Sequence, residues 1–117
     1  MMNNTVEITP QVVKLFLSRS AFDLRASQAA ISFPIIQRIH RRLQQGYKFR
    51  KIKVLDGVII DGHHRYICLS MLQMKVESVK AGKNITMLNI VQWAAVFVDQ
   101  KDYDTLLEIK MYAKKYG

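Results

Sequence analysis

A single cysteine, Cys68, among 117 residues excludes an intrachain disulfide and removes the cysteine-cluster zinc sites. It falls on the apolar face of a predicted helix, where a small buried thiol is expected, and a lone thiol fits a reducing compartment. No apolar run approaches the ~18 residues of a membrane span. The start, Met-Met-Asn-Asn-Thr-Val-Glu, lacks the basic-then-apolar order of a cleavable signal. Internal repeats, low-complexity tracts and linkers are also missing. Half the residues are hydrophobic and 23% are charged, which excludes a disordered chain and fits one globular domain over residues 1–117. Acid is missing too: none occurs between Asp23 and Asp56. That interval holds Arg25, Arg38, Arg41, Arg42, Lys48, Arg50, Lys51 and Lys53. The net charge is +9, and a field of one sign attracts polyanions. Nucleic acid, nucleotides, an acidic partner protein and anionic lipid all fit it, beside the plainer reading of a soluble basic surface.

Hydrophobic spacing orders the rest. Val6 to Ile8 is read as a short strand. Thr9-Pro10 gives an N-cap and first-turn proline for a helix running to about Arg19. Phe22 to Arg25 is read as another short strand. Ser32 is placed as the cap of a second helix, with Pro34 in its first turn. In that helix Ile35, Ile36, Ile39 and Leu43 are predicted inward, and Arg38, Arg41, Arg42 and Gln45 outward. Gly46 ends it. Residues 50–55 alternate, Asp56-Gly57 is the favoured two-residue hairpin turn, and Val58 to Ile60 returns. A helix over about 63–74 follows, then a strand over 76–79 and a loop over 81–84. Residues 85–90 are ambiguous between strand and helix. Trp93 to Val98 is read as a strand. The last helix spans about 104–116, with Leu106, Leu107 and Met111 inward and Lys110, Lys114 and Lys115 at its basic end. The class is α+β, a small mixed sheet flanked by helices.

The chemistry concentrates in Val58-Ile59-Ile60-Asp61-Gly62-His63-His64-Arg65-Tyr66. A β-branched run stops at Asp-Gly, and polar residues crowd the first turn of a helix. A helix start carries unpaired N–H groups and the positive end of the dipole, so it suits an anion. Arg65 adds a permanent cation of bidentate geometry. An imidazole titrates near pH ~6.5, so His63 or His64 is a candidate acid, base or nucleophile. Adjacent helical residues diverge by about 100°. One histidine is therefore assigned to chemistry and the other to structure, with His64 favoured for the phosphate contact. Asp61 is a candidate to orient an imidazole or hold a divalent metal. The plain alternative is a glycine turn with solvated or carbonyl-bound histidines.

Helix, glycine, basic strand, Asp-Gly hairpin, strand and Asp61-Gly62-His63-His64-Arg65-Tyr66 together resemble the ParB/sulfiredoxin superfamily. The resemblance is strongest over residues 22–80. The equivalent turn reads Gly-Glu-Arg-Arg in ParB and Gly-Cys-His-Arg in sulfiredoxin. A narrower resemblance, to the ParB-like domains of bacterial polymorphic toxins, rests on Ser27-Gln28, residues 60–66 and Asp102-Tyr103-Asp104-Thr105. The resemblance implies a ParB/sulfiredoxin-like fold and a phosphate site at Gly62, His63, His64 and Arg65, with Ser27 and Gln28 beside it. It also implies action on nucleic acid or nucleotides, in the cytoplasm of a cell that the domain reaches as a delivered toxin. An acidic immunity protein is an implied partner, and the cofactor is open, a divalent metal with nucleotide among the options. The departures matter. Sulfiredoxin chemistry needs a cysteine where this chain has His63. ParB uses a glutamate there, and its DNA-reading domain and dimerisation tail do not fit in 117 residues.

Three functions follow. The first is phosphate-ester hydrolysis or transfer, by His63, His64 and Asp61. Arg38, Arg41, Arg42, Arg50, Lys51 and Lys53 would then track a nucleic-acid backbone. The second is a nucleotide- or nucleic-acid-binding module without turnover. The third is a small-molecule kinase resembling the free-amino-acid kinases of the superfamily. A ββα-metal nuclease would want a further His, Asn or Asp ligand from residues 65–75, and none is there. Zinc on the His-His pair would lack a third ligand.

Overall fold

The computed structural model describes residues 5–82 and 89–116. It opens with α1 (Pro10–Arg19), whose N-cap Thr9 accepts the amide of Val12 through its side chain. A three-residue strand, β1 (Ala30–Ser32), leads into α2 (Phe33–Gln44), which ends at Gly46 with φ +93°. The hairpin β2 (Ile52–Leu55) and β3 (Val58–Asp61) turns at Asp56 and Gly57, both at positive φ, as the Asp-Gly pair demands. There follow α3 (His63–Met71) and β4 (Ser78–Lys80). A single 3₁₀ turn, Trp93–Ala95, precedes β5 (Phe97–Asp99), and α4 (Leu106–Tyr116) closes the chain.

The strands form two small sheets. One orders β3-β2-β4, with β2 antiparallel to β3 and parallel to β4, so it is mixed. The other pairs β1 with β5 in parallel. Arg25 and Ala26 add isolated bridges outside the two sheets. Arg25 bridges Val58 and Ala26 bridges Val91. The class is α+β, a small mixed sheet flanked by helices.

Apolar residues at helical and strand spacing build one core. Val13 and Leu17 of α1, Ile36, Ile39 and Leu43 of α2, Ile52 and Ile59 of the hairpin, and Ile67 and Cys68 of α3 are all buried in it. Burial pushes the Cys68 thiol well above its usual range, and its sulfur donates to the Ile36 carbonyl at 3.3 Å. The helices α2 and α3 pack against each other over this core. That packing brings the α3 start beside the start of α2.

Four expectations are corrected. Residues 6–8 are not a strand: the Val6 amide and carbonyl bond to the Gln44 side chain instead. Residues 22–25 give only isolated bridge contacts at Arg25 and Ala26. The strand read at 93–98 starts as the 3₁₀ turn and pairs only from Phe97. Leu106, Leu107 and Met111 of α4 are 78%, 67% and 62% exposed, and no described residue of α4 belongs to the buried core. Lys83 and Asn84 of the predicted loop, and 85–88 of the ambiguous segment, lie outside the described residues.

Candidate phosphate-binding cleft

The hairpin delivers its second strand straight into the glycine turn. Gly62 is the N-cap of α3 at φ +105°, a left-handed backbone that L side chains rarely adopt. A Cβ there would stand 2.6 Å from Ile52 Cγ2 and 2.8 Å from Arg65 Nη2. The turn therefore packs directly on β2 and on the arginine that follows it. The next amides, of His63 and His64, begin the helix and have no intrahelical carbonyl to reach.

Arg65 is buried, and its Nη2 lies 3.3 Å from Asp61 Oδ2. Arg50 reaches the same carboxylate oxygen at 3.9 Å. Asp61 is about half exposed, so it steadies the guanidinium from the solvent side.

The histidines take different partners of one kind. His63 Nε2 accepts the Ser27 amide at 2.9 Å. His64 Nε2 accepts the Ser32 amide at 3.0 Å. The two rings diverge, as their adjacency on a helix requires. An imidazole accepting at Nε2 is neutral and carries its proton on Nδ1. Burial holds it so: desolvation pushes His63 down to about 4, against the attraction of Asp61. His64 is also pushed down to about 4, first by burial, then by repulsion from His63, Arg65 and Arg38. Trp93 sits 6.1 Å from the His63 ring and is fixed by its Nε1 donating to the Leu24 carbonyl. Tyr103 meets the His64 ring edge-on at 6.5 Å.

A cleft of about 850 Å³ opens over the turn. Its wall includes Asp61, Gly62, His63, His64, Arg65 and Gln28, with Arg38, Lys48 and Arg50 adding positive charge. Ile35, Phe49, Met111 and Tyr112 supply an apolar side. Ser27 belongs to the same structure through its amide and through its hydroxyl, which donates to the Ile59 carbonyl. Gln28 spends its side-chain N–H on the Ala30 carbonyl at 2.7 Å. Three separated pieces of sequence, 27–28, 61–65 and the α2 start, thus meet at one place.

The basic tract does not act as a unit. Arg38, expected outward, is half-buried and bound by Asp102 and Asp104. Arg41 pairs with Glu7, and Arg42 bonds to Gln45 and lies over the Tyr47 ring. Lys51 approaches Glu77 at 4.0 Å, and Lys53 is exposed on β2. Of the basic residues in the acid-free interval, only Arg38, Lys48 and Arg50 line the cleft.

Sequence reasoning missed the cleft's far wall, made of Phe49, Asp104, Glu108, Met111 and Tyr112. The one signal for it was Asp102-Tyr103-Asp104-Thr105, which directly precedes α4. Among the described residues, no three His, Cys, Asp or Glu side chains stand together as a metal-binding group. Among the same residues, no helix is long and apolar enough to cross a membrane. Comparison with family models, with characterised proteins and with solved structures finds no match.

Proposed function

We propose that this chain is a ParB/sulfiredoxin-like domain, of the kind found in bacterial polymorphic toxins. In this reading it holds the phosphate of a nucleotide or nucleic acid on the Gly62–Arg65 turn and carries out phosphate-ester hydrolysis or transfer there. One observation carries the proposal: a helix start, a buried arginine and two neutral imidazoles converge on a single positively charged cleft. Each element favours a phosphate oxygen. The helix start offers amides and dipole, Arg65 a charge, and each imidazole an Nδ1–H donor. In this reading Asp61, the carboxylate at the turn, orients an attacking hydroxyl or holds a divalent metal with the nucleotide.

A second reading, a binding module without turnover, draws on a specific observation. Both Nε2 atoms already accept backbone amides, and both rings stay neutral well below pH 6. Neither imidazole is then poised as a general base, whose pKa should lie near the working pH.

Calorimetric titration with a nucleoside triphosphate tests the reading. Replacing Arg65 with Gln should weaken binding by at least roughly tenfold, the worth of a charge-assisted hydrogen bond. Arg65→Lys should recover part of the loss. Unchanged affinity in a folded Arg65→Gln protein would refute the assignment. Product formation in a single-turnover assay supports phosphate-ester chemistry; binding without product leaves the module.

A further inference from the structure

The ion pair that holds Arg38 lies on the rim of the phosphate cleft. Arg38 rises from α2 and lines the cleft together with Asp104. Three carboxylate oxygens surround its guanidinium. Asp102 Oδ2 stands 2.6 Å from Nη1, Asp102 Oδ1 2.9 Å from Nη2, and Asp104 Oδ2 2.6 Å from Nη2. A two-pronged grip with a third oxygen beside it is also how a guanidinium holds a phosphate group. Arg38 and Arg65 both act on His64, since the charge of each helps keep that ring neutral. Of the three arginines that line the cleft, Arg38 and Arg65 are the two whose charge reaches that ring. One is held by a single aspartate of the turn, the other by a pair of aspartates from far along the chain.

Those aspartates belong to residues 99–105, which cross the α2 start as an arm. Ser32 Oγ donates to the Lys101 carbonyl at 2.8 Å and accepts the Tyr103 amide at 3.3 Å. The arm leads directly into α4, whose Leu106, Leu107 and Met111 are exposed. Tyr112 of α4 stacks on Phe49 at 6.4 Å and lies beneath the Arg38 guanidinium at 5.8 Å. Arg38 is thus common to the attachment of both the arm and the helix.

Resting on the phosphate reading of the cleft, we infer that residues 99–105 are an autoinhibitory arm. Asp102 and Asp104 occupy on Arg38 the place of a second phosphate group. A ligand with two or more linked phosphates displaces them and loosens α4, whereas a lone phosphate uses the turn and leaves the arm seated. The seated arm thereby weakens the binding of linked phosphates and leaves the binding of a lone phosphate at the turn untouched.

The test titrates the whole chain with inorganic phosphate and with tripolyphosphate, and follows amide hydrogen exchange in α4. Asp102→Asn with Asp104→Asn should bind tripolyphosphate roughly tenfold tighter, the scale of one released charge-assisted contact, with phosphate affinity unchanged. Arg38→Gln should bind tripolyphosphate more weakly by a similar factor. Combining all three changes should abolish the gain, because the freed guanidinium is gone. In the parent chain, tripolyphosphate should accelerate exchange in α4 and phosphate should not. A merely structural ion pair predicts that cutting it from either side shifts affinity in the same direction, and that result overturns the arm. A gain that survives Arg38→Gln reflects net charge alone and overturns it too. Should the asparagine variant not fold, the parent's exchange response decides. If the parent binds both probes but the asparagine variant gains nothing, the arm alone fails. If the parent binds neither probe, the phosphate reading fails with it.

Discussion

Each imidazole at the turn spends its Nε2 on a backbone amide, of Ser27 or of Ser32, and that bond decides its acid–base behaviour. Protonation would replace an acceptor with a donor facing an N–H. The rings therefore bind a proton in the unfolded chain near pH 6.5, but in the fold only near pH 4. Their contribution to stability is fully present above about pH 6.5 and is lost as pH falls towards 4. Linkage puts it at up to about 3 kcal/mol for His63. His64, lowered to about the same value, acts in the same direction. His40, also lowered by burial, adds in the same direction. Urea denaturation at pH 7, 6 and 5 should show stability dropping stepwise, and a flat profile across that window would contradict the bonding scheme. A bound phosphate on the Nδ1 side should oppose the drop, since it favours the protonated ring.

At the scale of elements, the chemistry of local stops was legible. Thr9-Pro10, Asp56-Gly57, Gly46 and Gly62 each sit at a backbone that their residue types favour, and each ends or starts an element as read. The turn was readable for the same reason: a β-branched strand, a glycine at φ +105° and a helix follow one another without a gap. Non-local partners were not readable. The strand β1 has three residues and pairs only with β5, near the other end of the chain, so no local pattern marks it. Arg38 has the spacing of an outward residue, yet Asp102 and Asp104 draw it into a half-buried ion pair. The inward reading of Leu106, Leu107 and Met111 failed because amphipathic spacing identifies an apolar face but does not supply a surface for it. Replacing Leu106 and Leu107 with Ser should therefore change unfolding free energy by no more than about 0.5 kcal/mol. Ile36→Ala, in the α2–α3 core, should cost about 2–5 kcal/mol. Equal losses in the two variants would put α4 back in the core.

Across the whole molecule, acids hold several of the basic side chains behind the net charge of +9. Glu7 holds Arg41, Glu77 approaches Lys51, and the aspartate arm holds Arg38. What remains directed at a single point is the cleft with Lys48, Arg50 and Arg65 around the start of α3. Glu7 and Glu77 thus engage basic side chains away from the cleft, Asp102 and Asp104 hold Arg38 within it, and Asp61 stands at the turn. That turn is the proposed phosphate site. Its most direct test follows backbone amide resonances during titration with a nucleoside triphosphate, and separately with a short oligonucleotide. The amides of Gly62, His63, His64 and Arg65 should move first and saturate together with either ligand, with the downfield shifts of N–H groups gaining an anionic acceptor. Shifts confined to Arg41, Arg42, Lys51 and Lys53, with the four turn amides unmoved at saturation, would contradict it.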